Sequence, residues 1–167
     1  MSRLAVDQAG PVTSVQDGGR FGAQRYGLPP SGAMDRPALA AANVLAGNAA
    51  LAAAIEIGPL GARFSVCEGA LRIAVAGATR DITAAGRRLP MQTTTLLSAG
   101  DSLSLGAARN GMFSYLAIAG GIIGAPVFGS LSVNARAGLG SPFARPLQAG
   151  DVLTLTEAAP LAQERRL

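Results

Sequence analysis

The chain has 167 residues, 49% of them hydrophobic and only 14% charged, so it can bury a core and is not intrinsically disordered. It contains no histidine and no lysine, and Cys67 is its single cysteine. This inventory excludes histidine-based triads, Schiff-base lysines, histidine-ligated metals and intrachain disulfides.

The net charge of +4 comes from arginines that are spread along the chain, so nucleic-acid binding is not predicted. The 26 uncharged residues between Arg109 and Arg136 are long enough to cross a bilayer. Glycines and Pro126 interrupt this run, which favours a buried strand and a glycine-rich loop over a membrane span. Cys67 lies in an apolar stretch and is predicted to be a buried, inert thiol, which suits a cytoplasmic protein.

Short apolar runs separated by glycine turns predict about ten strands. Their ranges are 4–6, 13–16, 53–57, 62–66, 70–76, 81–84, 91–97, 102–105, 112–118 and 152–156. One helix is predicted at about 36–46, with Asp35 as its N-cap, Pro37 in its first turn and Gly47 at its end. The pattern predicts a mainly β fold, a closed or nearly closed β-barrel with one clear helix, over residues 1–157. Residues 158–167 are predicted to be a polar tail.

Two similar units, at 99–105 and 149–155, each place Ala-Gly-Asp before a short leucine-rich strand. They predict two equivalent turn-and-strand units at edges of the barrel.

The loop after the second predicted strand carries most of the polar side chains that suit a site. Arg20 and Arg25 have the planar geometry that grips a carboxylate or phosphate. Asp17 either orients such an arginine or acts as a base. The alternative is a structural loop, in which Asp17 stabilises its own turn and pairs with Arg20 while Asp35 caps the helix.

Glu56 lies in a strand that otherwise reads as buried, so its carboxylate needs a partner or a raised pKa. Arg20 is a candidate partner, and both a structural ion pair and a site carboxylate remain open. The glycine-rich loop 120–124 fits neither dinucleotide-binding nor P-loop spacing, and no metal site is predicted.

Several segments together resemble the biotin-dependent carboxyltransferase family, also known as allophanate hydrolase subunit 2 or the C subunit of 5-oxoprolinase, which includes the Kip-type antagonist. They are Val15-Gln-Asp-Gly-Gly-Arg20, Gln24-Arg25-Tyr-Gly27, Pro30-Ser-Gly-Ala-Met-Asp35, Ala42-Asn43, Gly47-Asn48, Ile55-Glu-Ile-Gly-Pro59, Ser114-Tyr-Leu-Ala-Ile-Ala-Gly-Gly-Ile122, Phe128-Gly-Ser130 and Arg136-Ala-Gly-Leu-Gly140. The resemblance implies a cyclophilin-like closed β-barrel, of which this chain is the N-terminal half of the family's unit. Ile123 and Leu131 stand where the family usually has polar residues.

The resemblance implies part of an ATP-dependent 5-oxoprolinase, or alternatively of a urea carboxylase-type carboxyltransferase. A third reading, from another class, is a non-catalytic interaction module. The predicted catalytic residues are Asp17, Arg20 and Arg25, and the predicted substrate-binding residues are Gln16, Ser31, Asn48 and Glu56.

The implied partners are a companion B subunit, similar to allophanate hydrolase subunit 1, and an A subunit, with a homodimer as another arrangement. No recognisable motif binds a cofactor directly, so ATP or carboxybiotin is expected only through the complex. The isolated chain is expected to be inactive.

Overall fold

A computed structural model describes residues 1–156, and the predicted tail at 158–167 lies outside the described residues. This part of the chain has eleven strands and one α-helix. In chain order they are β1 (Ser2–Ala9), β2 (Ser14–Gln16), α1 (Arg36–Ala46), β3 (Ala54–Ile57), β4 (Ala62–Glu68), β5 (Ala70–Thr79), β6 (Ile82–Ala84), β7 (Arg87–Leu89), β8 (Thr94–Ser98), β9 (Ser102–Leu105), β10 (Asn110–Ile118) and β11 (Val152–Leu155). Short 3-10 turns occur at Gln24–Tyr26 and Ala135–Ala137.

The strands form two antiparallel sheets. One has the order β11-β1-β4-β9-β6-β7, and the other has the order β2-β3-β10-β5-β8. Within residues 1–156 no ladder joins the two sheets, so the closed barrel is not confirmed. The prediction of a mainly β fold with one α-helix is confirmed.

The main hydrophobic core contains aliphatic side chains from both sheets. Leu103 and Phe64 from the six-stranded sheet are fully buried there, as are Ile55 and Leu116 from the five-stranded sheet. Alternation along each strand turns every second side chain toward this core. The hydrophobic effect of burying these side chains is the main term that holds the two sheets together.

Helix α1 covers the outer face of the five-stranded sheet. Leu39 and Leu45 of the helix pack in a second buried cluster with Ala74 and Ala117 of the sheet. Small alanines on this face let the helix backbone approach the strands closely. The second half of β10, from Ser114 to Ile118, is therefore buried on both faces, which explains its largely apolar sequence.

The long uncharged run thus contains a central strand. Among the described residues, no helix is both long and apolar enough to span a bilayer.

The bounds of α1 follow from its caps. The Asp35 carboxylate accepts a hydrogen bond from the Ala38 N–H at 3.0 Å, and Pro37 occupies the first turn, where a missing N–H costs nothing. Gly47 ends the helix at φ 88°, in the left-handed region that glycine tolerates. The predicted helix at 36–46 is confirmed.

The two Ala-Gly-Asp turns have the same hydrogen-bond pattern. Asp101 accepts from the Ser98 N–H and Asp151 from the Gln148 N–H, each at 2.8 Å. Strand β11, which follows the second turn, is an edge strand as predicted. The edge prediction is wrong for the first unit, because β9 lies between β4 and β6.

The prediction of a buried Cys67 thiol is also wrong, because the side chain is exposed. Phe64 and Val66 point into the core from β4. The two-residue period of a strand therefore turns Cys67 toward solvent.

Removing the helix cap should destabilise the protein. We expect Asp35→Ala to lower the free energy of unfolding by about 1 kcal/mol, because the Ala38 N–H loses its acceptor. Asp35→Asn is the control, since its amide oxygen can replace the carboxylate. Urea denaturation at pH 7 measures both variants, and equal losses would contradict the capping role.

Candidate functional site

The carboxylate of Asp17, just after β2, joins two segments of the chain, 17–19 and 130–132. Its Oδ1 accepts hydrogen bonds from the Gly19 N–H at 2.8 Å, the Ser130 hydroxyl at 2.7 Å and the Ser132 hydroxyl at 2.5 Å. Its Oδ2 accepts one from the Leu131 N–H at 2.7 Å. This carboxylate therefore anchors the segment 130–132 to the start of the loop 17–35.

The pKa of Asp17 is below its ordinary value. Partial burial raises the pKa, but the hydrogen bonds from two hydroxyls and two backbone N–H groups outweigh that effect. A carboxylate with a lowered pKa and four donors is a stable anion and a poor base. The geometry thus favours a positioning role for Asp17.

The loop 17–35 folds back on itself through close backbone contacts. The Arg20 N–H donates to the Pro30 carbonyl at 2.6 Å, and the Ala33 N–H donates to the Asp17 carbonyl at 2.9 Å. Gly32 has φ 93°, and a Cβ there would lie 2.8 Å from the Gly19 Cα. Only glycine fits this crossing, which fixes the two ends of the loop together.

Arg20 is 1% exposed and donates to the Ser132 carbonyl. Within residues 1–156, its Nε and Nη1 have no hydrogen-bond partner, and it forms no ion pair. The predicted pairs of Arg20 with Asp17 and with Glu56 are therefore both wrong. A buried cation with two open donors is unfavourable unless an acceptor reaches it, so Arg20 is a candidate anion-binding group.

Glu56 and Tyr115 form the second polar centre of the site. They are directly opposite each other on β3 and β10, on the outer face of the five-stranded sheet. The Tyr115 O–H donates to Glu56 Oε2 at 2.7 Å, and the Met34 N–H donates to the same oxygen at 2.8 Å. Tyr115 in turn accepts from the Asp35 N–H at 2.8 Å. The partners of Glu56 are therefore a tyrosine and the end of the long loop, in place of the predicted arginine.

Burial raises the pKa of Glu56, and the hydrogen bonds from Tyr115 and Met34 only partly oppose this effect. Burial and the Glu56 carboxylate together raise the pKa of Tyr115, which stays a neutral donor. Glu56 can therefore hold a proton closer to neutral pH than an exposed glutamate does. That property suits a general acid or base.

Asp35 also lines an open cleft of about 350 Å³. Its other lining residues come from β5 and β10, and include Thr79, Asn110, Met112 and Phe113. Because Asp35 contacts Tyr115 through its backbone, this cleft lies next to the Glu56–Tyr115 pair.

Three predicted substrate-binding residues are held by the protein itself. Gln16 donates to the Val133 carbonyl at 3.2 Å, and its buried Oε1 has no partner among the described residues. Ser31 accepts from the Asn134 amide at 3.3 Å. The amide of Asn48 donates to the Ile118 carbonyl at 2.9 Å and accepts from the Gly120 N–H at 3.0 Å.

Asn48 thereby links the end of α1 to the end of β10. Gln16 and Ser31 contact residues 133–134, next to the segment 130–132 that Asp17 holds. Asn48 lies at the opposite end of α1 from Glu56. The binding roles of these three residues remain predictions.

Arg25 is exposed on the 3-10 turn of the loop. Its guanidinium lies 4.8 Å from the centre of the Tyr26 ring, which contacts the ring of Phe128 at 6.0 Å between centroids. Arg25 is thus stacked on an aromatic side chain at the surface, apart from the buried donors of Arg20. Its catalytic role remains a prediction.

Sequence reasoning missed Tyr115, Ser130 and Ser132. Tyr115 lies within a long apolar run. A hydroxyl in such a run needs a buried hydrogen-bond partner, and this could have identified Tyr115 from the sequence. Ser130 and Ser132 alternate around Leu131, which places both hydroxyls on one side of an extended segment.

No group of three acidic, cysteine or histidine side chains that could hold a metal ion occurs in residues 1–156. The Gly120 N–H donates to Asn48, and the Gly121 N–H donates to the Ile118 carbonyl, so these backbone donors are already used.

The two departures from the family pattern have different surroundings. Ile123 is exposed, and its N–H donates to the Thr154 carbonyl at 2.9 Å. Leu131 uses its N–H to hold Asp17, so its backbone contributes to the anchor whatever its side chain.

These features define a mainly β domain in which one loop, 17–35, carries a buried arginine and contacts a carboxyl–tyrosine pair. The family described as carboxyltransferase domain, subdomain A and B, matches residues 26–166. The chain belongs to this family, which confirms the resemblance seen in its sequence.

Relatives from different enzymes share this domain. The C subunit of 5-oxoprolinase from Escherichia coli (strain K12) is 43% identical over 158 residues, which cover 91% of this chain and 49% of that protein. The urea amidolyase of Saccharomyces cerevisiae is 37% identical over 154 residues, covering 91% of this chain and 8% of that protein. The crystal structure of TTHA0988 superposes with a TM-score of 0.91 at 34% identity, over 100% of this chain and 33% of that one. The chain thus spans about half the length of the 5-oxoprolinase component it matches.

The Asp17 anchor should contribute strongly to stability. We expect Asp17→Ala to lower the free energy of unfolding at pH 7 by about 2–3 kcal/mol, because four buried or half-buried donors lose their acceptor. Because the folded pKa is lowered, this stabilisation is complete above pH 3.8 and is lost as the pH falls through the folded pKa. Asp7→Ala, which removes one exposed contact to Ser65, is the control and should cost less than about 1 kcal/mol. Similar losses for the two variants in urea denaturation would contradict the anchor.

Glu56 should show the opposite dependence on pH. Its folded pKa is raised, so its ionisation disfavours the folded state as the pH rises from 4.5 through that pKa. Glu56→Gln keeps an acceptor for Tyr115 and Met34 but cannot ionise. We expect the variant to gain stability relative to the wild type as the pH rises, as measured by thermal unfolding from about pH 4 to about pH 8. A difference that stays constant over this range would contradict the raised pKa.

Proposed function

We propose that this chain is a component of an ATP-dependent 5-oxoprolinase, which opens 5-oxoproline to glutamate in the cytoplasm. The observation that carries the proposal is the 43% identity to the C subunit of a 5-oxoprolinase across 91% of the chain. The chain spans about half of that protein, so the proposal is for a contributing part of the enzyme. It shares its site with a companion B subunit, and an A subunit completes the reaction.

Arg20 is the group proposed to bind the anionic substrate. 5-Oxoproline carries a carboxylate and a lactam carbonyl, and both are acceptors that suit a guanidinium with open donors. Because Arg20 is 1% exposed, binding requires the loop 17–35 to open. Asp17 positions this loop, and Gln16 and Ser31 line the same segment. Arg25, exposed on the same loop, is the second cation proposed for this role.

Glu56 is the group proposed to hold or move a proton. Tyr115 and the Met34 N–H fix its Oε2, so the carboxyl is held in one orientation. Its raised pKa favours the protonated form that a general acid needs. The adjoining cleft beside Asp35 has space for a small molecule. Asn48 supports the far end of α1 and, by its contacts, acts on the site only through the helix.

A second candidate is a part of a urea carboxylase-type carboxyltransferase. It is favoured by the carboxyltransferase family match and by the 37% identity to urea amidolyase. A non-catalytic interaction module is the third candidate. It is favoured by the four hydrogen bonds to the Asp17 carboxylate, which make Asp17 a poor catalytic base.

Neither ATP nor carboxybiotin is assigned to this chain. The backbone donors of Gly120 and Gly121 are engaged within the protein, so these residues do not fit a nucleotide phosphate. The Ala38 N–H at the start of α1 is likewise engaged, because it donates to the Asp35 carboxylate. ATP is therefore proposed to bind to a companion protein of the complex.

Reconstitution tests the proposed function. The chain is mixed with purified A and B subunits from the same organism, and ADP release is measured with and without 5-oxoproline. The proposal expects 5-oxoproline-dependent release. Urea-dependent consumption of carboxybiotin with no response to 5-oxoproline would favour the second candidate, and no turnover with either substrate would favour the third.

Arg20→Gln separates a binding role from a structural one. We expect kcat/KM for 5-oxoproline to fall at least about tenfold, while the free energy of unfolding does not decrease, because an unpaired buried charge is removed. Arg80→Gln is the matched control: this buried arginine donates to the Gly106 carbonyl at 2.8 Å and the Gly58 carbonyl at 3.1 Å. It should lose stability and keep its turnover when folded. An Arg20→Gln protein that is destabilised yet fully active would contradict the assignment.

A further inference from the structure

Three of the seven aromatic side chains are exposed on loops of the site. Phe21 is 62%, Tyr26 61% and Phe128 53% exposed. Tyr26 and Phe128 contact each other across two loops, with 6.0 Å between ring centroids. Exposed, clustered aromatics are characteristic of the central part of protein interfaces.

The backbone at Phe128 is held in an unfavourable conformation. Residues 127 and 130 pair through two backbone hydrogen bonds, so Phe128 and Gly129 form a two-residue turn, with φ values of 50° and 75°. Such turns prefer Asn-Gly, and a bulky aromatic at positive φ is strained. This strained turn places the ring at the surface, which indicates a use for the ring. Asp17 holds Ser130 and Leu131 immediately after the turn.

Arginines stack on two of these three rings and have no acidic partner within residues 1–156. The guanidinium of Arg25 lies 4.8 Å from the Tyr26 ring centre, and that of Arg36 lies 5.2 Å from the Phe21 ring centre. Arg136 is exposed on the neighbouring 3-10 turn, beside Asn134. Within residues 1–156, none of these three arginines forms an ion pair. This surface therefore complements one that is both apolar and acidic.

We infer that the aromatic patch, defined as Phe21, Tyr26 and Phe128 with Arg25 and Arg36, docks an acidic and apolar face of the companion B subunit. The inference rests on the proposed function, in which this chain works beside that protein. A second copy of the chain is a poorer occupant, because the chain carries a net charge of +4 and a twofold contact would place the same arginines against each other. Arginine and aromatic side chains are also the residue types that contribute most to binding at interfaces.

Binding of the purified full chain to the purified B subunit from the same organism tests the inference. Phe128→Asn removes the ring and suits the positive φ, so the thermal midpoint should be no lower than that of the wild type. We expect its Kd to rise at least about tenfold in isothermal titration calorimetry. The double variant Arg25→Glu/Arg36→Glu should weaken binding further and reduce its dependence on salt. Leu96→Asn and Arg87→Glu are the controls, since both are exposed at the edges formed by β8 and β7, and each should bind as tightly as the wild type does.

Three outcomes would overturn the inference. They are patch variants that bind as the wild type does, controls that lose as much affinity as the patch variants, and a wild-type chain that does not bind the B subunit. The inference would also be overturned if the wild-type chain does not bind the B subunit but associates with itself, and Phe128→Asn abolishes that self-association. The patch would then be assigned to a second copy of the chain. ADP release by the reconstituted enzyme is measured in a separate assay, so that the docking surface and the proposed function are tested independently. If the reconstituted enzyme turns over 5-oxoproline and the patch variants bind the B subunit as tightly as the wild type does, only the docking surface is overturned. If binding depends on the patch but the reconstituted enzyme does not turn over 5-oxoproline, only the proposed function is overturned.

Discussion

The candidate site depends on one carboxylate, that of Asp17, and on the four donors that surround it. Two donors are backbone N–H groups and two are serine hydroxyls, so the anion remains ionised and its geometry is determined from both sides. On one side it fixes the loop that carries Arg20, and on the other it fixes the segment that follows Phe128. A change in this single group would therefore reach both the buried cation and the exposed rings.

The outer face of the five-stranded sheet has an apolar part and a polar part. Alanines in the apolar part allow α1 to pack closely on the sheet. Glu56 and Tyr115 form the polar part, which lies at the N-terminal end of α1. The same fold thus contains a carboxylate that stays charged at Asp17 and a carboxyl that resists charging at Glu56. The difference arises from the number of donors relative to the degree of burial, since both groups are partly desolvated.

Local sequence was sufficient where the determining contacts are local. The cap at Asp35, the proline after it and the glycine at the end predicted α1 correctly, because all these interactions lie within one or two turns. Strand β7 was missed because Arg87 and Arg88 give it no apolar period, and pairing with β6 is what makes it a strand. The exposure of Cys67 follows from the phase of β4 and was overlooked in favour of its apolar neighbours.

The partners of the site carboxylates lie far away in the sequence. Asp17 is 113 residues from Ser130, and Glu56 is 59 residues from Tyr115. Neither pairing could therefore be predicted from local sequence.

The order of the strands in the sheet also has a consequence for how the molecule is made. Strand β1 pairs with both β4 and β11, and Ser2 is opposite Leu155. On the ribosome, the first strand must therefore wait with one edge unpaired until the last strand has emerged, so synthesis leaves an early segment open to wrong pairing until almost all of the described chain is available.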